Sequence, residues 1–579
     1  MKKWPSILFM LCWVSCVFAQ IPQGNNVRKD VLSRLYVYPE RIMWTSHDTL
    51  FENKEFLLER NNGQPEMGKR HTCGITTTAQ DTASILLDYG KELHGGIKLV
   101  FSSSKPGGPK QVHVRFGESV SEANSHYVPG KRGMGYATND HAIRDMILTV
   151  PSDGQIEIGN TGFRFVRIDF LSQAKVYLKE VPAILRYRDI PYLGSFECND
   201  SMLNRIWQTG AYTVHLNMQE YLWDGIKRDR LIWLGDMHPE VSTVMSVFGG
   251  NEVVPSTLDL ACEQFPLPQW LNGMSSYSMW YLIIMHDWFM YGGDKAYLNK
   301  HRNYITGLID LIDSKIDKKG NETLSPNRFL DWPSTPNKKG VEAGYRALLI
   351  WALEDAQMLC EELGDTGRAE KCVAMIKRLR KKYVPDNGLK QAAALMAIAG
   401  VIKPENASTT VAAGGAKGFS TFYGYYMLEA MAKASLYADA LDIIRNYWGG
   451  MIKLGATTFW EDFDLDWAKN AGRIDEFVPK GKADIHRDFG VYCYPSYRHS
   501  FCHGWASGPT PWLSRYVLGV KILEPGCKKV EIKPHLGNLK WASGTFPTPL
   551  GVIRIKHEMQ PDGKVKTEVK APEGVEVLY

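Results

Sequence analysis

Between residues 82 and 170, apolar and polar positions alternate in short runs. Thr82-Ala-Ser-Ile-Leu-Leu-Asp-Tyr-Gly90, Gly96-Ile-Lys-Leu-Val-Phe-Ser102, Gln111-Val-His-Val-Arg-Phe-Gly117 and Phe163-Arg-Phe-Val-Arg-Ile-Asp-Phe170 are rich in β-branched and aromatic residues. They repeat at period two between Gly, Pro and Ser clusters. This spacing predicts an antiparallel β-sandwich over residues 20–190. At Asp189-Ile-Pro-Tyr-Leu-Gly-Ser-Phe-Glu-Cys198 the period changes. Residues 202–220, 276–291, 295–315, 341–363, 366–383, 389–399, 422–435 and 438–448 then place apolar side chains three and four apart, as helices do. Ser201 stands where an N-cap would. Gly292-Gly293, Gly364 and Gly449-Gly450 stand where left-handed C-caps would. Ten or more consecutive helices with uneven loops predict an (α/α)6 toroid over residues 191–520. An α-solenoid is the alternative, but no fixed repeat supports it. Alternation returns in Val530-Glu-Ile-Lys-Pro534, Gly551-Val-Ile-Arg-Ile-Lys-His-Glu558 and Lys564-Val-Lys-Thr-Glu-Val-Lys570, with Asp562-Gly563 as a hairpin turn. The expected whole is a multidomain α+β chain: a toroid flanked by an N-terminal sandwich and a small C-terminal β domain over residues 521–579.

The first residues bear on where the chain goes. Met1-Lys2-Lys3 is basic, residues 7–19 are apolar over too short a run to span a bilayer, and Val17-Phe18-Ala19 before Gln20 fits a cleavage site. A signal peptide over residues 1–19 and a periplasmic protein are expected. Lipoprotein anchoring through Cys16 is disfavoured, because Trp13-Val14-Ser15 is a poor lead-in. No later run reaches the ~18 apolar residues of a membrane helix, so no stable membrane insertion is expected. The formal net charge is +5 and the cations are interspersed with acids, which excludes a basic nucleic-acid face. Ten cysteines, two of them in the leader, include no Cys-x-x-Cys, so no zinc site is predicted. Asp462, Asp464 and Asp466 lack a complete calcium ligand set. Neither metal nor organic cofactor is expected. Seventeen Trp and 27 Tyr suit either a large aromatic core or carbohydrate contact.

Candidate chemistry concentrates in two segments. Tyr221-Leu-Trp-Asp-Gly-Ile-Lys-Arg-Asp-Arg-Leu-Ile-Trp-Leu-Gly-Asp-Met-His-Pro-Glu240 sets Asp224, Asp229, Asp236 and Glu240 among Trp223, Trp233 and three cations, Lys227, Arg228 and Arg230. Gly455-Ala-Thr-Thr-Phe-Trp-Glu-Asp-Phe-Asp-Leu-Asp-Trp467 is a second carboxylate cluster with its own indoles. Carboxylic acids transfer protons, and indole faces stack on the C–H face of a pyranose. Glycoside hydrolysis places an acid and a base on opposite sides of one bond, which two separate segments can supply. Each segment also has a structural reading. The first could be a salt-bridge face, although Leu, Ile and Trp among the charges argue against free solvation. The second could be a helix N-terminus capped by Thr457 or Thr458.

Together, Asp-Gly-x-Lys-Arg-Asp-Arg-x-x-Trp-x-Gly-Asp, Gly-Ala-Thr-Thr-x-Trp-Glu and Cys502-His-Gly-Trp-Ala-Ser-Gly-Pro509 resemble the site segments of the α-L-rhamnosidases of glycoside hydrolase family 78. The resemblance implies a six-hairpin glycosidase with Asp229 as general acid and Glu461 as general base. It implies substrate contacts for Asp224, Arg228, Trp233, Asp236, Trp460 and His503. In Phe329-Leu-Asp-Trp-Pro333 it points to Asp331 and Trp332 as a sugar subsite. The family usually has Glu where this chain has Asp229, one methylene shorter, so the backbone must approach the glycosidic oxygen more closely. His286-Asp287-Trp288 lies in an apolar helix and reads as core. The implied function is an exo-acting hydrolase that removes terminal α-L-rhamnose from plant or microbial glycans with inversion. Its expected partner is an oligosaccharide or glycoside. The alternatives are another six-hairpin glycosidase, acting on an unsaturated uronide or a different deoxyhexose, and a catalytically impaired carbohydrate-binding homologue.

Overall fold

A computed structural model describes residues 27–103, 107–126 and 144–579. The expected signal segment 1–19, with Cys12 and Cys16, lies outside the described residues. The N-terminal strands form a ten-stranded sheet, with Ala83–Phe101 paired antiparallel to Gly154–Phe170 as its spine. The runs predicted as separate strands at 82–90 and 96–102 are one strand. Gly90 and Gly95, with φ of 82° and 144°, shift its register without ending it. At Gly95 a Cβ would lie 1.9 Å from the carbonyl oxygen of Ile184. Glycine is therefore what lets the neighbouring strand Ala183–Tyr187 pair there.

The helical body follows, with several departures from the periodicity. Asp200, not Ser201, caps the helix Ser201–Asn217, accepting from the N–H groups of Met202 and Leu203. The helix predicted at 295–315 is divided at His301 into Lys295–Lys300 and Arg302–Asp313. Gly293 does cap Ser275–Gly292 in the left-handed region. Gly449 and Gly450 cap nothing, because Tyr437–Lys453 runs through them. A Cβ there would lie 3.3 Å from Met202 or 3.2 Å from the Phe463 ring, so these glycines serve close packing. Met237–Val247, Ser275–Gly292, Lys338–Glu362, Lys390–Ile398, Gly424–Lys433 and the short Pro509–Trp512 touch in sequence, and the last returns to the first. Their apolar faces share one core.

The chain closes on itself. Ser195–Cys198, at the entrance to the helical body, pairs with Trp541–Thr548 near the C-terminus. That sheet continues through Gly551–Met559 and Val565–Lys570, turned at Asp562-Gly563. Among the described residues no helix is long and apolar enough to cross a membrane, and the eight cysteines are free.

The N-terminal sheet grips the helical body at one end. Arg164 Nη1 donates to the Gly455 carbonyl (3.1 Å), the Glu92 N–H to Thr457 Oγ1 (2.9 Å) and the Val120 N–H to the Ile474 carbonyl (2.9 Å). Ile226 and Cys502, which come from the helical part of the chain, are buried in the sheet's own apolar core. The approach is close at Gly162, where a Cβ would lie 2.8 Å from Ile226 Cγ1 and 2.9 Å from the Lys227 amide nitrogen. Gly162→Ala should therefore destabilise the protein by about 1–3 kcal/mol through overpacking against backbone. Denaturant unfolding measures this, and an unchanged midpoint would mean that the loop at 226–227 yields freely.

Candidate active site

The first acidic segment is a loop, not a helix. Asp224 pinches it shut: its N–H donates to the Leu231 carbonyl (3.1 Å), and its Oδ1 accepts from the Leu231 N–H (3.0 Å). The turn between them carries Lys227-Arg228-Asp229-Arg230, with Arg230 in the left-handed region at φ 57°. The helix begins only at Met237. Pro239 thus falls in a first turn, where its missing N–H leaves no hydrogen bond unmade.

The second segment is also irregular. Thr457 and Thr458 cap no helix: Thr457 Oγ1 accepts from Glu92, and Thr458 Oγ1 donates to the Phe501 carbonyl (2.7 Å). These ties deliver Glu461 to the first segment. Its carbonyl accepts from Thr421 Oγ1 (2.6 Å) and Trp505 Nε1 (2.9 Å), and its Oε2 accepts from the Ser500 N–H (3.2 Å). Its Oε1 accepts from Arg228 Nη2. Arg228 Nη1 donates to Asp229 Oδ1 at 3.3 Å. One guanidinium plus two hydrogen bonds spans at most about 8 Å, which bounds the gap between the nearest oxygens of Asp229 and Glu461. Asp229 is the less buried of the two, with 14% of its side chain exposed against 5% for Glu461.

The third segment completes the cluster. His503 Nε2 lies 3.2 Å from Asp236 Oδ2, and its Nδ1 lies 4.0 Å from Glu461 Oε1. Tyr277 donates to Asp236 Oδ1 at 3.1 Å. Burial pulls the His503 pKa down, but the adjoining Glu461 and Asp236 outweigh it and hold the imidazole above its ordinary range. Burial pushes the Asp224 and Glu240 carboxyls well above their ordinary values, which favours their protonated forms. Asp224, Asp236 and His503 stand close enough to share a cation.

Asp224, Arg228, Asp229, Asp236, Glu461 and His503 are thus gathered at one place, with Trp233 half-buried and edge-on to the Tyr277 ring (6.1 Å). Two expected site residues are placed otherwise. Trp460 is buried and stacked on Phe501 at 4.2 Å, so it backs the loop that carries Glu461 instead of offering a face to a sugar. Asp331 has both oxygens occupied: Oδ2 accepts from Ser420 Oγ (2.8 Å) and Gln391 Nε2 (3.0 Å), and Oδ1 from the Ser334 N–H (3.0 Å). It anchors its loop. Trp332 is the exposed member of that pair, beside Tyr492 and along a cleft of about 580 Å³ with Phe329 and Met274. Sequence reasoning missed Tyr277, Ser500 and Trp505. Tyr277 sits in an apolar helix and Ser500 contributes only its backbone, so neither carried a signal.

Carboxyl groups, an imidazole and an indole gathered at one end of a helical body have the form of a glycosidase site. Residues 191–517 match the bacterial α-L-rhamnosidase six-hairpin glycosidase domain, and residues 519–578 match the bacterial α-L-rhamnosidase C-terminal domain. The chain belongs to this family. It is 25% identical over 570 residues to an α-L-rhamnosidase of Alteromonas sp. (strain LOR), covering 89% of this chain and 57% of that protein. The chain therefore spans little more than half the length of that relative. Its fold is shared by the family 78 rhamnosidase of Bacillus sp. GL1 (TM-score 0.72, 20% identity, 90% of this chain and 55% of that one). It is also shared by a rhamnosidase of Klebsiella oxytoca solved with rhamnose bound (TM-score 0.62, 19% identity, 84% of this chain and 96% of that one).

A second polar cluster corrects the reading of His286-Asp287 as plain core. His286 Nδ1 lies 2.9 Å from Asp287 Oδ1 and 3.6 Å from Asp355, while His238 Nε2 lies 3.1 Å from Asp287 Oδ2. His286 and Asp287 line a cavity of about 430 Å³ with Arg515 and Tyr425. Burial works against the His286 cation, yet the hydrogen bond to Asp287 and the field of Asp355 push its pKa up to about 9. A pKa raised on folding stabilises fully below the unfolded value of about 6.5, and that gain is lost as pH rises through the folded value. The destabilisation caused by His286→Gln should be largest below about pH 6.5 and should shrink as pH rises through about 9. Unfolding midpoints of both proteins across that range test this, and a pH-independent gap would show that His286 carries no charge.

Proposed function

We propose that this protein is an exo-acting α-L-rhamnosidase that works with inversion. The observation that carries this reading is the Arg228 guanidinium, which joins two acidic side chains some 230 residues apart in sequence. Their separation of at most about 8 Å is compatible with a glycosidase carboxyl pair, for which inverting enzymes use ~6.5–9.5 Å and retaining ones ~5–5.5 Å, and inversion is taken from the family resemblance. In this reading Asp229 donates its proton to the departing glycosidic oxygen. Glu461 takes a proton from a water that attacks the anomeric carbon from the opposite face. Asp224, Asp236 and His503 bond sugar hydroxyls, and Trp233 lies against the ring. The closed cycle of six helices supports an (α/α)6 toroid over residues 191–520, between an N-terminal sandwich over 20–190 and a C-terminal β domain over 521–579. The relatives' names support rhamnose as the sugar, and the basic and apolar leader supports export to the periplasm.

A panel of nitrophenyl glycosides tests the reading. Release from the α-L-rhamnoside alone is expected. Release only from another deoxyhexoside or an unsaturated uronide would move the chain to a different specificity, and rhamnose binding without turnover would make it a lectin-like homologue. Glu461→Gln should lower turnover on the order of 10²–10⁴-fold while substrate binding is kept.

Asp229→Asn should harm a natural rhamnoside far more than a nitrophenyl one, because a good leaving group departs with little protonation. Steady-state kinetics on both substrates checks this. Equal losses would reduce Asp229 to a sugar-binding role.

A further inference from the structure

Behind the site lies a fully buried group of charges that the chemistry above does not use. Lys227 Nζ lies 2.9 Å from Glu118 Oε2 and 3.3 Å from Glu122 Oε1. It also donates to the carbonyls of Tyr497 (2.9 Å) and His499 (2.6 Å). Glu118 Oε2 accepts a further hydrogen bond, from the Phe501 N–H at 2.7 Å. Glu118 and Glu122 come from the N-terminal sheet domain, and all three side chains are buried. Glu118 precedes the helix Val120–Asn124 and Glu122 lies in its first turn, where Ser119 Oγ accepts from the Glu122 N–H and Glu122 Oε2 from the Glu118 N–H. This reciprocal capping makes the pair a rigid fixture. Glu118, Glu122 and His486 have the spacing of cation ligands, but the Lys227 ammonium already lies within hydrogen-bond reach of both carboxylates.

The contacts of Glu118 are what matter. Lys227 adjoins Arg228 and Asp229, and Phe501 adjoins Ser500, whose N–H binds Glu461 Oε2. One carboxylate of the sheet domain therefore ties down both the segment that supplies Asp229 and the stretch whose Ser500 N–H holds Glu461. A cluster kept only for stability would do as well or better as packed apolar side chains, since burying ions costs several kcal/mol each. Burial already pushes the Glu118 carboxyl up to about 7. We propose that Glu118 and Glu122 are positioning residues that set the relative placement of Asp229 and Glu461 through Lys227 and the Phe501 amide. The inference rests on the assignment of Asp229 and Glu461 given above.

The test compares the parent protein with Glu118→Gln, with Glu122→Gln and with the double variant Glu118→Gln/Lys227→Met, which removes the stranded charge. Kinetics on nitrophenyl α-L-rhamnoside is read beside deuterium exchange of the backbone. Glu118→Gln should lower kcat on the order of 10- to 10²-fold, the scale of a small misplacement, with KM changed by less than about threefold. Exchange should rise at residues 225–231 and 498–503 and nowhere else in the helical body. Glu122→Gln, which spares the Phe501 bond, should lose less. The double variant should regain the parent's unfolding midpoint while kcat stays low. A double variant that recovers both would reduce the cluster to a stability element and overturn the proposal, as would unchanged kcat and exchange in Glu118→Gln. If the parent cleaves no glycoside, the functional assignment falls instead, and the exchange data alone decide whether Glu118 orders the two segments.

Discussion

The guanidinium of Arg228 is the interaction on which the site depends. It is buried, and each of its three nitrogens donates: Nε to the Arg498 carbonyl at 2.8 Å, Nη1 to Asp229 and Nη2 to Glu461, with the Tyr494 ring 5.7 Å away. Burial works against its charge, but the two acidic neighbours more than offset it and drive its pKa upward. A planar fork can satisfy two acidic groups and a carbonyl together, whereas a lysine ammonium would act as a single point charge. Without that guanidinium, two acidic side chains would face each other across a short gap with little water to soften their repulsion.

The remaining acids are managed by burial instead of pairing. Asp224 and Glu240 are pushed towards their neutral forms, so a segment dense in aspartate does not bring its full formal charge into the protein. Among the described residues neither Glu240 oxygen has a hydrogen-bond partner, and a Cβ at Gly504 would lie 1.6 Å from Oε1. Glycine in the Cys-His-Gly-Trp segment is therefore required by contact with the acidic helix. Asp236 instead keeps its place through His503 and Tyr277. Burial raises the Asp236 carboxyl as well, and what sets it apart is that His503 and Tyr277 oppose that rise.

The sheet domain belongs to the site as much as the helices do. Ile226 and Cys502 are buried in its core, and Arg230 Nη1 donates to the Asn160 carbonyl at 2.8 Å. The loop that carries Asp229 therefore has one wall of helices and one wall of sheet. Irregular backbone of this kind is held by contacts on both sides as well as by the hydrogen bonds between Asp224 and Leu231.

What the sequence determined by itself was set by local periodicity and residue type. Period-two runs located the N-terminal and C-terminal strands, the three- and four-residue spacing located most long helices, and two carboxylate–indole segments marked the candidate chemistry. Local signals could not say what a glycine is for: Gly90 and Gly95 bend one strand, Gly293 ends a helix, and Gly449 and Gly450 let helices pack, though all read alike in sequence. Nor could they tell which side of the chain a residue faces. Trp460 lies next to Glu461 yet turns into the core, and Asp331 is consumed by its own loop while Trp332 beside it is exposed. Tertiary structure decided these cases, and it alone paired Arg228 with Glu461 and Lys227 with Glu118. Those contacts join residues over a hundred positions apart, and their strength comes from burial, which is a property of the folded chain and of no single segment.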